Sequence, residues 1–553
     1  MNMAKRSIYR GLDARLKRGT IAAAVAASVF AVSWVASADR SEDPRVIAES
    51  NVSGHIPPQR EQAQRSPVTG SAAAYAATAD WFTPGSGIPL PASALYENAH
   101  GKMHVLNTSG EIDTKGHPFF TPLGTNQRAC VTCHQPANGM SISTATIRER
   151  WEVTAGKDPL FAAVDGSNCP SLPQGDPKSH SLLLDHGLFR IFLPWPPKAP
   201  DGTPIETEFT LEVVEDPTGC NRDPNYGLNA ATPMVSVYRR PKVVANLKYI
   251  EPHYAQYFNL KTGTPLAKDP ETGARVSMNL MADARNLTLK SQAIEAAVTH
   301  LQHDGELDDA HIQQILAFER QIYIAQGEHT LAGRFDGDDS PPGLGADAMA
   351  REKYGLGNVV AKPVFLSFDM WRGNSNGAGA PNDATAAMRA SIARGSDVFF
   401  LQPFWIRDTT GLNNIGLGNP LKRSCATCHN ASMTGHDVAP GWIDVGTQNL
   451  PTANPLPHLP LFKLTCNKSS VPHTYLGRVI YTHDPGRALI TGKCIEIGAI
   501  NLQQMRGLAG RAPYFSNGSS ANLRELVDYY DRRFDIGYSE QQKQDLVNFL
   551  SVL

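Results

Sequence analysis

The sequence predicts a mainly α-helical protein with two domains and a long loop-rich insertion in the first, which has room for a short β-hairpin. Three observations predict this class. One short Cys/His motif occurs twice, once in each half of the chain. Apolar residues recur at helical spacing in the middle and at the end of the chain. The chain has 553 residues, which is more than one hydrophobic core usually serves.

The repeated motif is C-x-x-C-H, at Cys130–His134 and again at Cys425–His429. This is the attachment signature of a c-type haem, in which two thiols bond to the haem vinyl groups and the adjacent imidazole ligates the iron. A zinc half-site and a thioredoxin-like redox pair are the alternatives. A zinc site needs a second ligand pair close by, and no other C-x-x-C lies near either motif. The motifs therefore predict two covalent haem c groups held by Cys130, Cys133, His134, Cys425, Cys428 and His429.

The first 38 residues have the pattern of a secretory signal peptide. Six Lys and Arg residues precede an apolar run over 21–35, and Ala36-Ser37-Ala38 is a small-x-small cleavage site. The run of about 15 residues is short for a membrane span, which needs about 20, although an uncleaved anchor is the alternative. We expect export to the periplasm or the medium, with no membrane attachment after cleavage.

The charge of the exported chain is acidic. The formal net charge is −2, and removing the signal segment, which carries a net +5, leaves −7. No basic stripe indicates a nucleic-acid partner. An acidic body would attract a small basic electron-donor protein from the periplasm.

Four further cysteines are expected to form disulfides, because exported proteins meet an oxidising environment. Two lie between the motifs and two after the second. Their order favours Cys169–Cys220 and Cys466–Cys494, although four cysteines allow three connectivities.

Composition divides the chain into consecutive parts. These are a signal peptide (1–38), a flexible arm (39–90), a first haem domain (91–330) with an insertion over 135–238, a connector (331–385) and a second haem domain (386–553). Within them, alternation predicts a strand over 208–214, and helical spacing predicts helices over 287–302 and 308–325. Ser539 and Gln542 form a capping box before a C-terminal helix.

The C-terminal region carries a family resemblance. The segment Pro513–Ser519 followed by Leu523–Tyr530 resembles the C-terminal signature of bacterial di-haem cytochrome c peroxidases. That family includes the di-haem enzyme that matures methylamine dehydrogenase and, more distantly, the di-haem rubber oxygenases. Residues 239–246, 283–292 and 318–320 are similar to its N-terminal segments.

The resemblance implies two α-helical cytochrome c domains. The N-terminal haem, with His134 as proximal ligand, would be reactive, and the C-terminal haem, on His429, would relay electrons. The sixth ligand of the relay haem would be Tyr530, at a position where typical peroxidases have Met. An ordinary buried helix aromatic is the other interpretation of Tyr530. Rival ligands are Met505, His436, His473 and His483.

The resemblance also suggests groups on the reactive side. Gln292 would lie in the distal pocket. The family's acidic residue falls at Gln302 here, so His300 would serve as acid and base in its place, unless it is a surface residue. The family's Trp between the haems falls at Ala282. Asn246, with carbonyls near Arg511 and Pro513, resembles an interdomain Ca²⁺ site.

Three functions follow as hypotheses. The first is a peroxidase-type oxidoreductase that reduces hydrogen peroxide with electrons relayed through the second haem. The second is an oxygenase or oxidase that acts on an organic substrate. The third is a di-haem electron carrier without catalytic activity.

Overall fold

The computed structural model describes residues 80–199, 202–251, 279–351, 368–372, 383–429 and 442–553. The predicted signal peptide, 1–38, and most of the predicted arm lie outside these residues. The end of the arm, residues 80–90, is folded, because Trp81, Phe82 and Leu90 are all buried. Residues 80–90, assigned by composition to the flexible arm, thus belong to the folded part of the chain.

Ten α-helices occur in the described part of the chain. They are α1 (Thr144–Thr154), α2 (Ser181–His186), α3 (Leu289–His300), α4 (Asp309–Gln321), α5 (Gly345–Arg351), α6 (Asp369–Arg372), α7 (Ala384–Leu401), α8 (Ala488–Thr491), α9 (Leu523–Phe534) and α10 (Glu540–Leu550). The capping box predicted at Ser539 is present at the start of α10, where Ser539 accepts from the backbone N–H of Gln542.

Short β-strands are spread along the same part of the chain. They are β1 (Ser93–Asn98), β2 (Gly101–Asn107), β3 (Phe189–Pro194), β4 (Phe209–Glu215), β5 (Met234–Arg239), β6 (Ile322–His329), β7 (Gly333–Arg334), β8 (Phe404–Ile406), β9 (Leu421–Arg423), β10 (Trp442–Ile443), β11 (Leu461–Cys466), β12 (Val479–Thr482) and β13 (Ile500–Asn501).

The largest sheet has the strand order β1-β2-β6-β7. Strand β6 occupies residues that the sequence analysis assigned to the helix over 308–325, and that expectation was wrong at its end: the helix ends at Gln321. The reason is local. Ile322 to Ala325 are all buried, and they pair with β2, with Val105 opposite Ile324. β-Branched residues fit such a pleated, buried surface well.

The insertion is joined to the second half of the chain by a sheet. The predicted strand over 208–214 is present as β4, and it pairs with β11, which also pairs with β12. Strands β3 and β5 pair with each other, but β4 lies between them in sequence. Within the described residues of the insertion, no two consecutive strands pair with each other, and the short β-hairpin stays a prediction.

Both disulfides have the pairing that the chain order favoured. Cys169 bonds to Cys220 within the insertion, and Cys466 bonds to Cys494 after the second motif. The first bond joins a loop to a 3₁₀ turn that begins at Cys220, and the second joins the end of β11 to a 3₁₀ turn that begins at Cys494.

Two large hydrophobic cores surround the two motifs. The first gathers buried residues between Phe82 and Ile324, including Val131 of the first motif. The second gathers buried residues between Ala332 and Leu553, and Cys425 packs against it. In the second core α7 lies very close to α10, because Gly395 has no side chain: a Cβ there would lie 2.0 Å from the carbonyl oxygen of Asp545.

The predicted connector, 331–385, contains helices α5 and α6, and Phe368 and Trp371 within it are buried in the second core. Across the described ranges, none of the helices has the length and apolarity that a membrane span requires.

Candidate functional site

Each C-x-x-C-H motif forms a single 3₁₀ turn. The first turn is Cys130–Thr132, and the backbone N–H of His134 donates to the Cys130 carbonyl at 3.2 Å. The second is Cys425–Thr427, and His429 donates in the same way to Cys425 at 3.0 Å. None of these four cysteines is in a disulfide. Each turn therefore presents two thiols and one imidazole together, as covalent haem attachment requires.

Each turn lies in the wall of a large, mostly apolar cavity. The N-terminal cavity, lined by Cys130, Cys133 and His134, has an empty volume of about 1400 Å³. The C-terminal cavity, lined by Cys425, Cys428 and His429, has about 1520 Å³. Both volumes include space open to solvent, and both cavities have the mostly apolar lining that suits a large planar cofactor.

His134 is oriented as a proximal ligand. Its Nδ1 lies 3.2 Å from the carbonyl oxygen of Met140, to which it donates. Burial is the main cause that lowers the pKa of His134, to about 4, so the ring is neutral. A neutral ring that donates from Nδ1 keeps a free lone pair on Nε2, the usual arrangement of a metal-ligating histidine.

His300, at the end of α3, lines the N-terminal cavity and is held by a buried carboxylate. Its Nδ1 lies 2.6 Å from Oδ2 of Asp165, and the other oxygen of Asp165 accepts from Arg128. Burial raises the pKa of the Asp165 carboxyl. Arg128 and then His300 lower it by more, so this pKa lies below its usual value. An ionised Asp165 thus fixes the tautomer of His300 with the proton on Nδ1.

Sequence reasoning missed Asp165. It lies in the insertion, 135 residues before His300, and no local pattern connects the two. The expected replacement of the missing acid by His300 alone is therefore incomplete: the cavity holds a histidine–carboxylate pair, and the insertion supplies its carboxylate.

Some of the other residues considered for the reactive side line the N-terminal cavity, and one does not. Gln292 and Ala282 both line the N-terminal cavity, whereas Gln302 does not. A second carboxyl group that the sequence did not reveal, Glu319 on α4, also lines this cavity. Burial raises the pKa of Glu319 to about 8, and its Oε2 is buried without a hydrogen-bond partner in the described part of the chain.

Tyr530 on α9 lines the C-terminal cavity together with the second motif. Its ring packs between Phe515 and Phe534. Within the described residues its hydroxyl has no hydrogen-bond partner, whereas the hydroxyl of the adjacent Tyr529 donates to the Val445 carbonyl at 3.2 Å. Burial raises the pKa of Tyr530 far above its usual value.

Of the four rival ligands for the second haem, one lines the C-terminal cavity, two do not, and one lies outside the described residues. Met505 also lines the C-terminal cavity. His473 does not, and its Nε2 lies 3.3 Å from Asp444. His483 does not either, and its Nδ1 bonds to the Pro460 carbonyl. His436 lies outside the described residues.

Asn246, the residue expected to bind Ca²⁺, is buried and makes hydrogen bonds within the protein. Its Oδ1 accepts from the backbone N–H of Ile324 at 3.1 Å, and its Nδ2 donates to Gln504 at 2.8 Å. The neighbouring Gln504 carbonyl accepts from the Arg511 guanidinium. Within the described ranges no cluster of three or more His, Cys, Asp or Glu residues could hold a metal ion. A Ca²⁺ site at Asn246 stays a prediction.

One stretch of wall belongs to both cavities. It is formed by Arg240 and Pro241, which follow β5, and by Gln503 and Gln504, which follow β13. Cofactors in the two cavities would thus be separated by these few residues.

Comparison with known proteins gives a weak sequence relationship over part of the chain. No protein-family model matches the chain. A cytochrome-c peroxidase, IdrP1, of Pseudomonas sp. (strain SCT) is 27% identical over 163 residues, which are 26% of this chain and 40% of that protein. The chain thus matches about two fifths of the length of this curated relative.

Among solved structures, a MauG-like protein associated with microbial copper homeostasis aligns with 58% of this chain and 74% of its own. The TM-score is 0.24 and the identity 15%, so this likeness carries no argument about fold. The sequence similarity gives weak support for a relationship to the di-haem peroxidase superfamily, without indicating one member.

Proposed function

We propose that the protein is an exported di-haem c-type oxidoreductase that reduces hydrogen peroxide. A small periplasmic protein would donate the electrons, and the second haem would relay them. One observation carries the proposal: the first motif, His134 and the pair His300–Asp165 all belong to the walls of one cavity. This cavity therefore contains both a cofactor-attachment motif and a histidine that can accept and donate protons.

The residues that would hold the two cofactors fit them. Cys130 and Cys133 would form the thioether bonds of the first haem, and Cys425 and Cys428 those of the second. His134 and His429 would be the proximal ligands. The bound haem supplies an iron that exchanges single electrons with a donor and with a peroxide oxygen.

The reaction needs two electrons and two protons for each peroxide, which becomes two water molecules. His300 is suited to the proton work. Because its Nδ1 donates to Asp165, its Nε2 is free to take the proton from one peroxide oxygen and to return it to the other as the O–O bond breaks. Gln292, on the same helix and in the same wall, would orient the peroxide by hydrogen bonding.

Asp165 would hold a constant negative charge beside the imidazole. When His300 takes up a proton, the adjacent carboxylate stabilises the imidazolium that forms, as in other histidine–carboxylate pairs. Arg128 binds the second oxygen of Asp165, and it also donates to the carbonyls of Pro159 and Leu160 at 2.7 Å. The carboxylate is thereby fixed in one place.

The C-terminal cavity is suited to electron relay. Tyr530 lines this cavity and would serve as a ligand to a haem there, because a phenolate oxygen stabilises ferric iron and lowers the reduction potential. A haem held by both His429 and Tyr530 would exchange electrons without taking up peroxide.

Oxidation of an organic substrate is the second candidate. Phe189 and Ile191 of β3, in the insertion, line the N-terminal cavity beside the first motif. They give the cavity an apolar wall that peroxide reduction does not require. An organic molecule with apolar surface would fit against it.

Steady-state turnover of hydrogen peroxide with reduced cytochrome c tests the first proposal. We expect turnover by the wild type and a loss of about 10²–10⁴-fold in His300→Gln, because general acid–base catalysis typically contributes that much. His303→Gln is a matched control: His303 follows the same helix but does not line the cavity. Absence of turnover, combined with peroxide-dependent oxidation of an added aromatic substrate, would favour the second candidate. A ferric spectrum without a high-spin component, unchanged by cyanide, would indicate a carrier.

A further inference from the structure

Three cations in the cavity walls have no carboxylate partner. Arg240 and Arg511 are 7% and 8% exposed, and Lys242 is partly buried. Across the described residues none of the three makes a salt bridge. Other cations in the N-terminal cavity do: Arg239 pairs with both Asp283 and Asp484. The unpaired cations are therefore unusual within their own surroundings.

The hydrogen bonds of these cations go to neutral acceptors. Arg240 donates from Nη1 to the Gly187 carbonyl and from Nη2 to the Arg511 carbonyl, both at 3.1 Å. The Nε of Arg511 is buried with no acceptor in the described part of the chain. Lys242 Nζ donates to the Asn279 carbonyl at 2.7 Å. An uncompensated buried charge is strongly destabilising, so an anion is expected nearby.

The three cations are distributed between the walls of the two cavities. Arg240 lies in the wall shared by both, Lys242 only in the N-terminal cavity and Arg511 only in the C-terminal cavity. Charge repulsion also connects them, because burial and then the charge of Arg511 lower the pKa of Arg240, which falls to about 9. The unpaired positive charge is thus concentrated at and beside the boundary between the cavities.

The proposed cofactors bring carboxylates to this place. A c-type haem is attached through the vinyl edge of its ring, and its two propionate groups extend from another edge. We propose that Arg240, Arg511 and Lys242 bind the haem propionates, and that Arg240 contacts a propionate from each cavity. The inference rests on the proposed function only in requiring one haem at each motif.

With the propionate edges of both groups at Arg240, the shortest route between the cavities passes through the shared wall of Arg240, Pro241, Gln503 and Gln504. A positive charge at that wall favours the reduced form of any haem beside it. Arg240 would then affect the potentials of both haems, and Arg511 only that of the second.

A redox titration of the two-haem protein tests the assignment. Intact mass and a haem stain first establish that each variant carries two haems. For Arg511→Gln we expect one potential to fall, with a change of about tenfold or more in the ratio of oxidised to reduced haem, which is about 59 mV for one electron. For Arg240→Gln we expect both potentials to fall. Arg506 is a matched control, because it is fully buried and lines neither cavity, so Arg506→Gln should change neither potential.

A second readout separates propionate binding from a general effect of charge. The propionate bending mode in the resonance Raman spectrum should shift in Arg511→Gln and also in Arg511→Lys, which keeps the charge but loses the forked donor pattern. Because Arg511→Lys keeps the positive charge, the reduction potential of the second haem should stay close to its wild-type value in this variant. If Arg240→Gln does not fold, Arg240→Lys is measured in the same way.

Two outcomes would overturn the assignment: two-haem variants at Arg240 and Arg511 that keep both potentials, or potentials that fall while the propionate mode stays unchanged. A wild type that carries fewer than two haems would instead contradict the proposed function. The two failures are therefore distinguishable.

Discussion

Replacing Asp165 with Asn probes the proton-transfer role of His300. The substitution keeps the size of the side chain but replaces one acceptor oxygen with an N–H donor. Arg128 would keep an oxygen as its acceptor only if the new amide nitrogen faces His300. Nδ1 of His300 would then have to accept, which places the proton on Nε2, the atom that should receive the peroxide proton.

The size of the effect follows from the geometry. The bond from His300 to Asp165 is 2.6 Å long, and the carboxylate is 2% exposed, so water cannot replace it. Loss of the correct tautomer should remove the acid–base contribution, typically about 10²–10⁴-fold. This corresponds to about 3–5 kcal/mol of transition-state stabilisation. Leaving Arg128 without its buried anion should in addition cost about 3–5 kcal/mol of folding stability.

The assay is kcat/KM for peroxide with saturating reduced donor, accompanied by urea denaturation. Asp158→Asn is the matched control. Asp158 is a buried aspartate of the same insertion, paired with Arg150 at 2.6 Å, but it does not line the cavity. We expect Asp158→Asn to lose stability without a comparable loss in kcat/KM. A folded, two-haem Asp165→Asn variant within about threefold of the wild-type kcat/KM would refute the reasoning, because the acid–base contribution is at least about 10²-fold.

Three other predictions concern the cavity walls. Tyr530→Phe should give a second high-spin ferric haem and a raised potential, because an anionic oxygen ligand is removed; an unchanged ferric spectrum would make Met505 the candidate ligand. Glu319→Gln should flatten the dependence of stability on pH. The folded protein holds the Glu319 proton up to about pH 8 and the unfolded chain releases it near pH 4.5, so wild-type stability should fall with rising pH across that window, by at most about 1.4 kcal/mol per pH unit. Urea denaturation from about pH 5 to about pH 8 checks this, and equal slopes in both proteins would contradict it. Cys428→Ala should lose or destabilise the second haem alone, as seen by intact mass and haem stain, and an unchanged haem content would count against attachment there.

Local patterns predicted the parts of the protein that local chemistry determines. The two C-x-x-C-H motifs form turns in cavity walls, and the capping box at Ser539 begins a helix as expected. The strand predicted over 208–214 is present with a shift of one residue at each end. In each case the residues that define the feature lie within a few positions of one another.

The features that sequence missed depend on distant partners. Residues 322–325 continue a helical pattern in isolation, but pairing with β2 makes them a strand. Asp165 becomes informative only when the insertion brings it to His300. The hydrogen bond from the N–H of Ile324 to Oδ1 of Asn246 joins residues that are 78 positions apart. Helical spacing and short motifs do not reveal these contacts, because they involve only residues that are close in sequence.

The central claim is that one cavity reduces peroxide while the second haem supplies an electron. It is tested most directly by anaerobic titration of the fully reduced wild-type protein with hydrogen peroxide, followed optically. Because each peroxide takes two electrons, we expect one equivalent to oxidise both haems, with the endpoint at one peroxide per protein. Oxidation of a single haem at that endpoint, or no oxidation by added peroxide, would contradict the account.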